Sequence, residues 1–581
     1  MNMKALYQKI RTLNGKNYGL YKSLSEKEWD FGDFSLSFLH VQGDPFAPAS
    51  RVMVKATLAQ LGYTSEWSGS FERRLALSDF LLRRLSAAVC ERYPEKDAAV
   101  VLAVPGPEML VRNSLWIDNG EVRACLQVRL PGDGRRIQAE AAAEILTMVL
   151  PDLVSTLYNS SSQSEGGVCA ELLKYYHVVA ERSAILEVLK KRGLVAFVPD
   201  GAVLPRASGL SSKPLEGAVP FVTPAEMEIT LSVNGREIRG MGIPAGVTVI
   251  TGGAFHGKST LLQALVSAVH PHVPGDGREG IVVDESAVRV GVEDGRSVRG
   301  TNISALVRDL PGGVSTKAFT SLSASGSTSE AANLMEAMEA GCRTFFIDED
   351  SSAVNFLIRD QRVRELLGDD HEPLIPLTDR IREMASAGCS FIIVAGACGD
   401  FLSIADNVIT MVNYRAECAT AKARELFGNA AAKALDAQSL NLKPFAVPAC
   451  RAMLDYIKPL QGGLRPASAV ERQVKVKLNG DSLLQIGFLV SDTGRIATLV
   501  DKAQRLGAGL MLLNLCQTAI GNADAESLGE SIASAVVTLY EKMRNVGFRN
   551  LPQGMSRDMS LPRPIDIMCA LFRLGEQPRK W

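Results

Sequence analysis

The chain reads as an α/β protein in which a core built around a phosphate-binding loop is flanked on both sides by mixed α/β domains. Three observations predict this. An apolar run, Val247 to Ile250, feeds the turn Gly252-Gly253-Ala254-Phe255-His256-Gly257-Lys258-Ser259-Thr260, and a helical pattern follows through Leu261, Leu262, Leu265, Val266 and Val269. A second apolar run, Thr344-Phe345-Phe346-Ile347, ends on Asp348-Glu349. Alternating runs and helical runs interleave on both sides of this pair, as they do in mixed α/β domains. The expected division is 1–190, 191–440 and 441–581.

At 581 residues the chain has room for about three or four domains. With 46% apolar and 22% charged residues it has the balance of an ordinary globular protein. A net charge of −1 argues against a wholesale nucleic-acid coat, although a local basic patch survives such averaging. No run of about 18 apolar residues is present to span a bilayer, and the first residues lack a leader pattern. The expectation is a soluble, cytoplasmic protein with no integral membrane segment. Ten cysteines without a C-x-x-C pair, beside six histidines, form neither a zinc nor a disulfide framework.

Taken in order, Phe34, Leu36 and Phe38 alternate with Ser35 and Ser37, which predicts a strand with one apolar face. The Gly/Pro-rich run Val41 to Pro48 predicts a rigid turn. Arg73, Arg74, Arg83 and Arg84 lie on a helical pattern, and Arg135 and Arg136 on a loop. A solvated face accounts for them by default, and phosphate or RNA-backbone contact is the sharper reading. Asn159 to Gly167 is small and polar, as in a linker. Met227, Ile229, Leu231 and Val233 alternate with polar residues up to Asn234-Gly235, a hairpin signal just ahead of the phosphate loop.

The loop fits G-x-x-x-x-G-K-[ST] in the context that pattern needs. Successive N–H groups and a helix N-terminus make an anion site, and glycines let the backbone close around phosphate oxygens. Lys258 is then placed for the β/γ-phosphates and Ser259 for Mg²⁺. A strand ending in Asp348 sets that carboxylate beside the loop as a second Mg²⁺ support, with Glu349 placed to polarise an attacking water. Between these motifs, Ser325-Gly326-Ser327-Thr328-Ser329 leads a helix with Ala331, Leu334, Met335 and Met338 on one face. Ser327 and Glu330 have the spacing of a capping box.

A Ser-Gly-led helix about twenty residues before an Asp-Glu strand end resembles the ABC ATPases. Ser325 to Ser329 looks like a divergent form of their signature, and Ser351-Ser352-Ala353-Val354-Asn355 stands in the place of the D-loop. Glu293 sits at the Q-loop position, and Gly396 where the switch histidine would be. His256 is one candidate to replace that histidine. More closely, the chain resembles the stand-alone group catalogued as predicted ATPases of the ABC class. The matching runs include Leu194–Phe197, Gly240–Pro244, Pro274–Glu279, Glu293–Arg296, Ser325–Ser329, Asn355–Asp360 and Gly399–Phe401.

The resemblance implies an ABC-type P-loop core, with ATP and Mg²⁺ held by the loop Gly252 to Thr260, Asp348, Glu293 and Ser325 to Thr328. It also implies a homodimer, because each signature faces the loop of another core. The expected activity is ATP hydrolysis, through Lys258, Asp348 and Glu349, that clamps or remodels a macromolecule, RNA first. The rivals are a nucleotide-gated scaffold with little hydrolysis and a P-loop small-molecule kinase. After Tyr414 an alanine-rich helical stretch is expected. Next come a turn at Gln461 to Pro466, a strand with one basic face at Val474 to Leu478, and a helix face at Ile496, Leu499, Val500 and Ala503.

Overall fold

A computed structural model describes residues 1–94, 98–159, 170–368, 372–428, 444–452, 456–465, 474–521, 531–546 and 558–576. Most of the polar run from Asn159 to Gly167, and most of the alanine-rich stretch after Phe427, lie outside them. Contact density divides the chain into Met1–Ala180 with Glu541–Leu561, and Glu181–Tyr540 with Pro562–Trp581. The residues after 441 are thus shared between two units.

The first unit is built on an antiparallel sheet in the order Trp29–Asp30, Ser35–His40, Ser50–Thr57, Glu121–Val128, Val100–Val101, with Leu115–Asp118 also paired to Glu121–Val128. Leu36 and Phe38 face inward as their alternation predicts. Helix Phe71–Arg92, capped by the Ser70 side chain on the Arg73 N–H, buries Leu75, Leu77, Phe80, Leu81 and Leu85. Four of its arginines find partners inside the unit. Arg73 pairs with Glu66 at 2.8 Å, and Arg74 donates to the Ser68 carbonyl at 2.9 Å. Arg83 pairs with buried Asp79 at 2.6 Å, and Arg84 donates to the Tyr158 carbonyl at 3.3 Å. The chain's late segment completes this unit: Asn113 N–H donates to the Met559 carbonyl, Leu561 N–H to the Val111 carbonyl, and the Ser114 hydroxyl to Asp558.

The second unit holds the phosphate loop. Its central sheet runs Val288–Val290, Thr344–Asp348, Ser390–Val394, Val247–Gly252, Asn407–Val412, Arg415–Cys418. The first five strands are parallel and the last is antiparallel. The near-continuous apolar runs of the three central strands, Thr344–Asp348, Ser390–Val394 and Val247–Gly252, are what a sheet covered on both faces requires. Ahead of the loop, Glu228–Val233 and Arg236–Pro244 pair across Asn234-Gly235. Both turn residues have positive φ, 49° and 77°, as the mirror-image hairpin turn demands.

Near the C-terminus, Val476–Asn479, Leu483–Ile486, Leu489–Asp492 and Gly575–Glu576 form an antiparallel sheet against helix Lys502–Gly521. Ile496 and Leu499 are buried, but they stand in turns rather than on a helix face. The helix starts only at Lys502, where the Asp501 side chain accepts the Gln504 N–H at 2.7 Å and so fixes the start. No helix among the described residues is long and apolar enough to cross a membrane.

Candidate functional site

Strand Val247–Gly252 delivers the chain to the loop, and Gly257 opens helix Lys258–Ser267 in the left-handed region, φ 99°. At Gly252 (φ 127°) a Cβ would lie 2.3 Å from the Met411 carbonyl oxygen, so only glycine fits. Phe255 holds φ 63° and is 94% exposed. A left-handed bulky residue is local strain of about 1–3 kcal/mol, the kind that gathers at ligand clamps.

Above the loop is a cavity of about 960 Å³. Gly252, Gly253, Ala254, Phe255, Gly257, Lys258, Ser259 and Thr260 line one side, and Asp348, Glu349, Gly396 and Tyr414 also line it. Lys258 Nζ donates to the Gly252 and Gly253 carbonyls, each at 2.7 Å, bent back over its own loop. Parallel pairing carries Asp348 to the cavity at the end of Thr344–Asp348. Its Oδ2 accepts from Arg289 at 3.1 Å, and the same guanidinium nitrogen reaches Ser351 Oγ at 3.1 Å. Glu349 Oε2 accepts two backbone N–H groups, Gly396 at 2.7 Å and Ala397 at 3.1 Å. The switch-histidine position therefore supplies amides to Glu349. A Cβ there would point at Lys258, 3.6 Å from Cε.

His256 is turned away. Its Nδ1 accepts the Asn413 N–H at 2.8 Å, bracing the loop against the turn after Asn407–Val412, and the residue does not line the cavity. In this geometry the ring serves the loop's own turn and not the cavity. Glu293 is also engaged elsewhere: its carboxylate takes both arms of Arg573, with Nε at 2.9 Å, and the Asn333 amide at 3.2 Å. Burial works to raise this carboxyl, but the Arg573 charge and hydrogen bonds outweigh it and hold the group below its ordinary range.

Ser325, Gly326, Ser327 and Thr328 open helix Gly326–Glu339 and line no part of the cavity. The capping box is not formed. Ser325 is the residue before the helix, Ser327 Oγ donates to Asn355 Oδ1 at 2.7 Å, and Glu330 accepts the Ala353 N–H at 2.8 Å. Both partners of the box are drawn to the segment after the acidic strand instead.

A second, apolar cavity of about 290 Å³ adjoins the loop through Gly257, Thr260 and Tyr414. Leu204, Leu215, Val219, Phe221 and Met411 supply its walls. Tyr414 (φ 66°) follows Asn413 (φ 48°) in a left-handed turn that puts its ring beside both cavities.

Residues 169–445 match the P-loop domain model of the ABC ATPases, and residues 3–160 match the N-terminal domain of ATPases of the ABC class. This chain belongs to the ABC-class ATPases. An uncharacterized protein of Methanocaldococcus jannaschii is 32% identical to this ATPase over 209 residues, 35% of this chain and 46% of that protein. The chain thus spans about half the length of the curated relative it matches. Among solved structures, the ADP conformation of an ATP-binding cassette of an ABC transporter covers 36% of this chain and 96% of its own at 12% identity, TM-score 0.23. CbiO1 from Clostridium perfringens, part of an ABC transporter complex, covers 43% and 96% at 16% identity, TM-score 0.25.

Sequence reasoning missed two residues of this ABC-class ATPase's site, Arg289 and Tyr414. A lone arginine alternating with valines beside the acidic strand was the available signal for Arg289. An Asn-Tyr pair closing a strand was the signal for Tyr414.

Proposed function

We propose that this ABC-class ATPase binds and hydrolyses ATP at sites completed by a second copy, each closure clamping or remodelling a macromolecule, with RNA the first candidate. One observation carries the reading: Lys258, Ser259, Asp348 and Glu349 share one cavity, while Ser325 to Thr328 lie outside it. A head-to-tail, two-fold pair would bring the second group to the first. The loop N–H groups and the start of helix Lys258–Ser267 suit the phosphates. Lys258, released from two carbonyls, gains a γ-phosphate partner of opposite charge. The apolar cavity beside Tyr414 suits the nucleobase, whose rings favour such walls.

The Ser259 hydroxyl and Asp348 carboxylate are hard oxygen donors on one cavity, the set that Mg²⁺ takes together with phosphate oxygens. When bound, the ion would neutralise charge on the β- and γ-oxygens. In the hydrolytic step, water adds to the γ-phosphorus, its proton passes to Glu349, and the bond to the ADP oxygen breaks. Glu349 must first turn from the Gly396 and Ala397 amides, which favours slow turnover.

That same contact favours a second reading, a nucleotide-gated binding protein with little hydrolysis, acting in the cytoplasm like the first. Sedimentation of the Glu349→Gln variant with ATP tests the pairing; a strictly monomeric protein with ATP bound overturns it. Phosphate release with and without single-stranded RNA separates the two readings. If RNA neither binds nor alters turnover, that substrate is dropped.

A further inference from the structure

The segment Ser351–Asn355 is tied at three points. Arg289 holds Ser351 Oγ together with Asp348, Ser327 Oγ donates to Asn355 Oδ1, and Glu330 Oε2 accepts the Ala353 N–H at 2.8 Å. The third tie is unlike the others. Glu330 is fully buried, and its Oε1 has no hydrogen-bond partner among the described residues.

No charged side chain among the described residues compensates it. Four elements pack on helix Gly326–Glu339: strands Val288–Val290 and Val298–Thr301 and helices Val354–Leu357 and Pro564–Phe572. On the first strand, Arg289 is taken by Asp348 and Ser351. On the second, Arg299 is the charged residue, and it forms no ion pair with Glu330. Helix Val354–Leu357 carries no charge, and on the last helix Asp566 is paired with Arg563. On Glu330's own helix, Glu336 pairs with Arg296 and Glu339 with Arg451.

We propose that Glu330 is a proton-exchanging brace, a positioning residue whose charge state sets how firmly helix Gly326–Glu339 holds the segment Ser351–Asn355. A carboxylate buried without a cation is costly, yet the N–H bond it accepts is stronger than one to a neutral acid. The balance falls near neutrality. Burial pushes the Glu330 carboxyl up to about 7, against the pull of the Ala353 N–H and the Ser352 hydroxyl. The proton goes onto the unpartnered Oε1, and Oε2 keeps the Ala353 N–H in both states. With a raised folded value, the stability that Glu330 contributes is fully present below about 4.5 and is lost as pH rises through about 7.

The functional consequence rests on the two-copy ATPase reading, in which this helix and this segment serve the shared site. Above pH 7 the charged brace holds the segment firmly and turnover is higher; below it the tie slackens. The isosteric Glu330→Gln change keeps an acceptor for Ala353 and removes the titration. Two measurements on the full chain test it: the rate of phosphate release from ATP, and the melting temperature without nucleotide, both from pH 5 to 9.

The expected result is a wild-type rate that rises about tenfold through pH 7 and a Glu330→Gln rate that stays at the low plateau. The wild-type melting temperature falls through the same interval, and that of the variant does not. A limb near pH 7 that persists in Glu330→Gln, in rate or in melting, overturns the proposal. If neither protein releases phosphate at any pH, the hydrolytic reading fails, and the melting comparison alone decides the brace.

Discussion

Arg573 and Glu293 offer a direct contest between sequence position and structural place. By position Glu293 belongs to the nucleotide, yet its side chain is 9% exposed and locked to an arginine that is 10% exposed. Arg573→Ala leaves a buried carboxylate without its cation, and such a loss costs about 3–5 kcal/mol. Replacing both partners, Arg573→Met with Glu293→Gln, removes the stranded charge and recovers most of that loss. Urea denaturation of the three proteins at pH 7, followed by a probe on the second unit, measures it. The Arg573→Ala midpoint should fall far below wild type and the double variant return toward it. Since Glu293 does not line the cavity, Glu293→Gln should shift nucleotide affinity by about twofold or less, the scale for sites that share no contact. A Glu293→Gln protein of wild-type stability that loses tenfold or more in nucleotide affinity would refute the reasoning and restore the positional assignment.

Other expectations follow from single contacts. Gly396→Ala should fold and turn over normally, because its new Cβ meets Lys258 only at 3.6–3.7 Å. Gly396→His should raise phosphate release by up to about 100-fold through a new contact near the reacting phosphate; a rate equal to that of Gly396→Ala sinks this. Gly252→Ala should abolish nucleotide binding by calorimetry, since its methyl collides with the Met411 carbonyl. Burial, helped by the Arg563 charge, pushes His270 down to about 4. The stability this imidazole contributes is present above about 6.5 and is lost as pH falls toward 4, about 3 kcal/mol in all. His270→Gln should flatten the melting curve in that interval, and an unchanged acid limb would contradict it.

What could be read from the sequence was what is local. The phosphate loop is fixed by a strand, two glycines and a lysine within a dozen residues, and the Asn234-Gly235 hairpin by a turn that admits few other pairs. The misses share a different cause. Glu293 is claimed by an arginine 280 residues away, a partner that no spacing rule reveals. Ser327 and Glu330 have the spacing of a capping box, but tertiary packing brings other partners to both: Ser327 donates its hydroxyl to Asn355, and the buried Glu330 carboxylate takes the Ala353 N–H. Ile496 and Leu499 show helical periodicity, yet the cap at Asp501 starts the helix later and leaves them buried in turns.

The late segment that completes the first unit bears on how the chain is made. Ala180 leaves the ribosome long before Met559 and Leu561, whose backbones bond to Asn113 and Val111. At about 5–20 residues per second, that wait is about 20–75 s. Throughout it the Asn113 N–H and the Val111 carbonyl wait for the Met559 and Leu561 groups they bond in the finished fold, while the phosphate-loop sheet is synthesised and free to form. The first unit therefore waits on a segment made about 360 residues later, and a chain stopped short of residue 558 leaves both units incomplete.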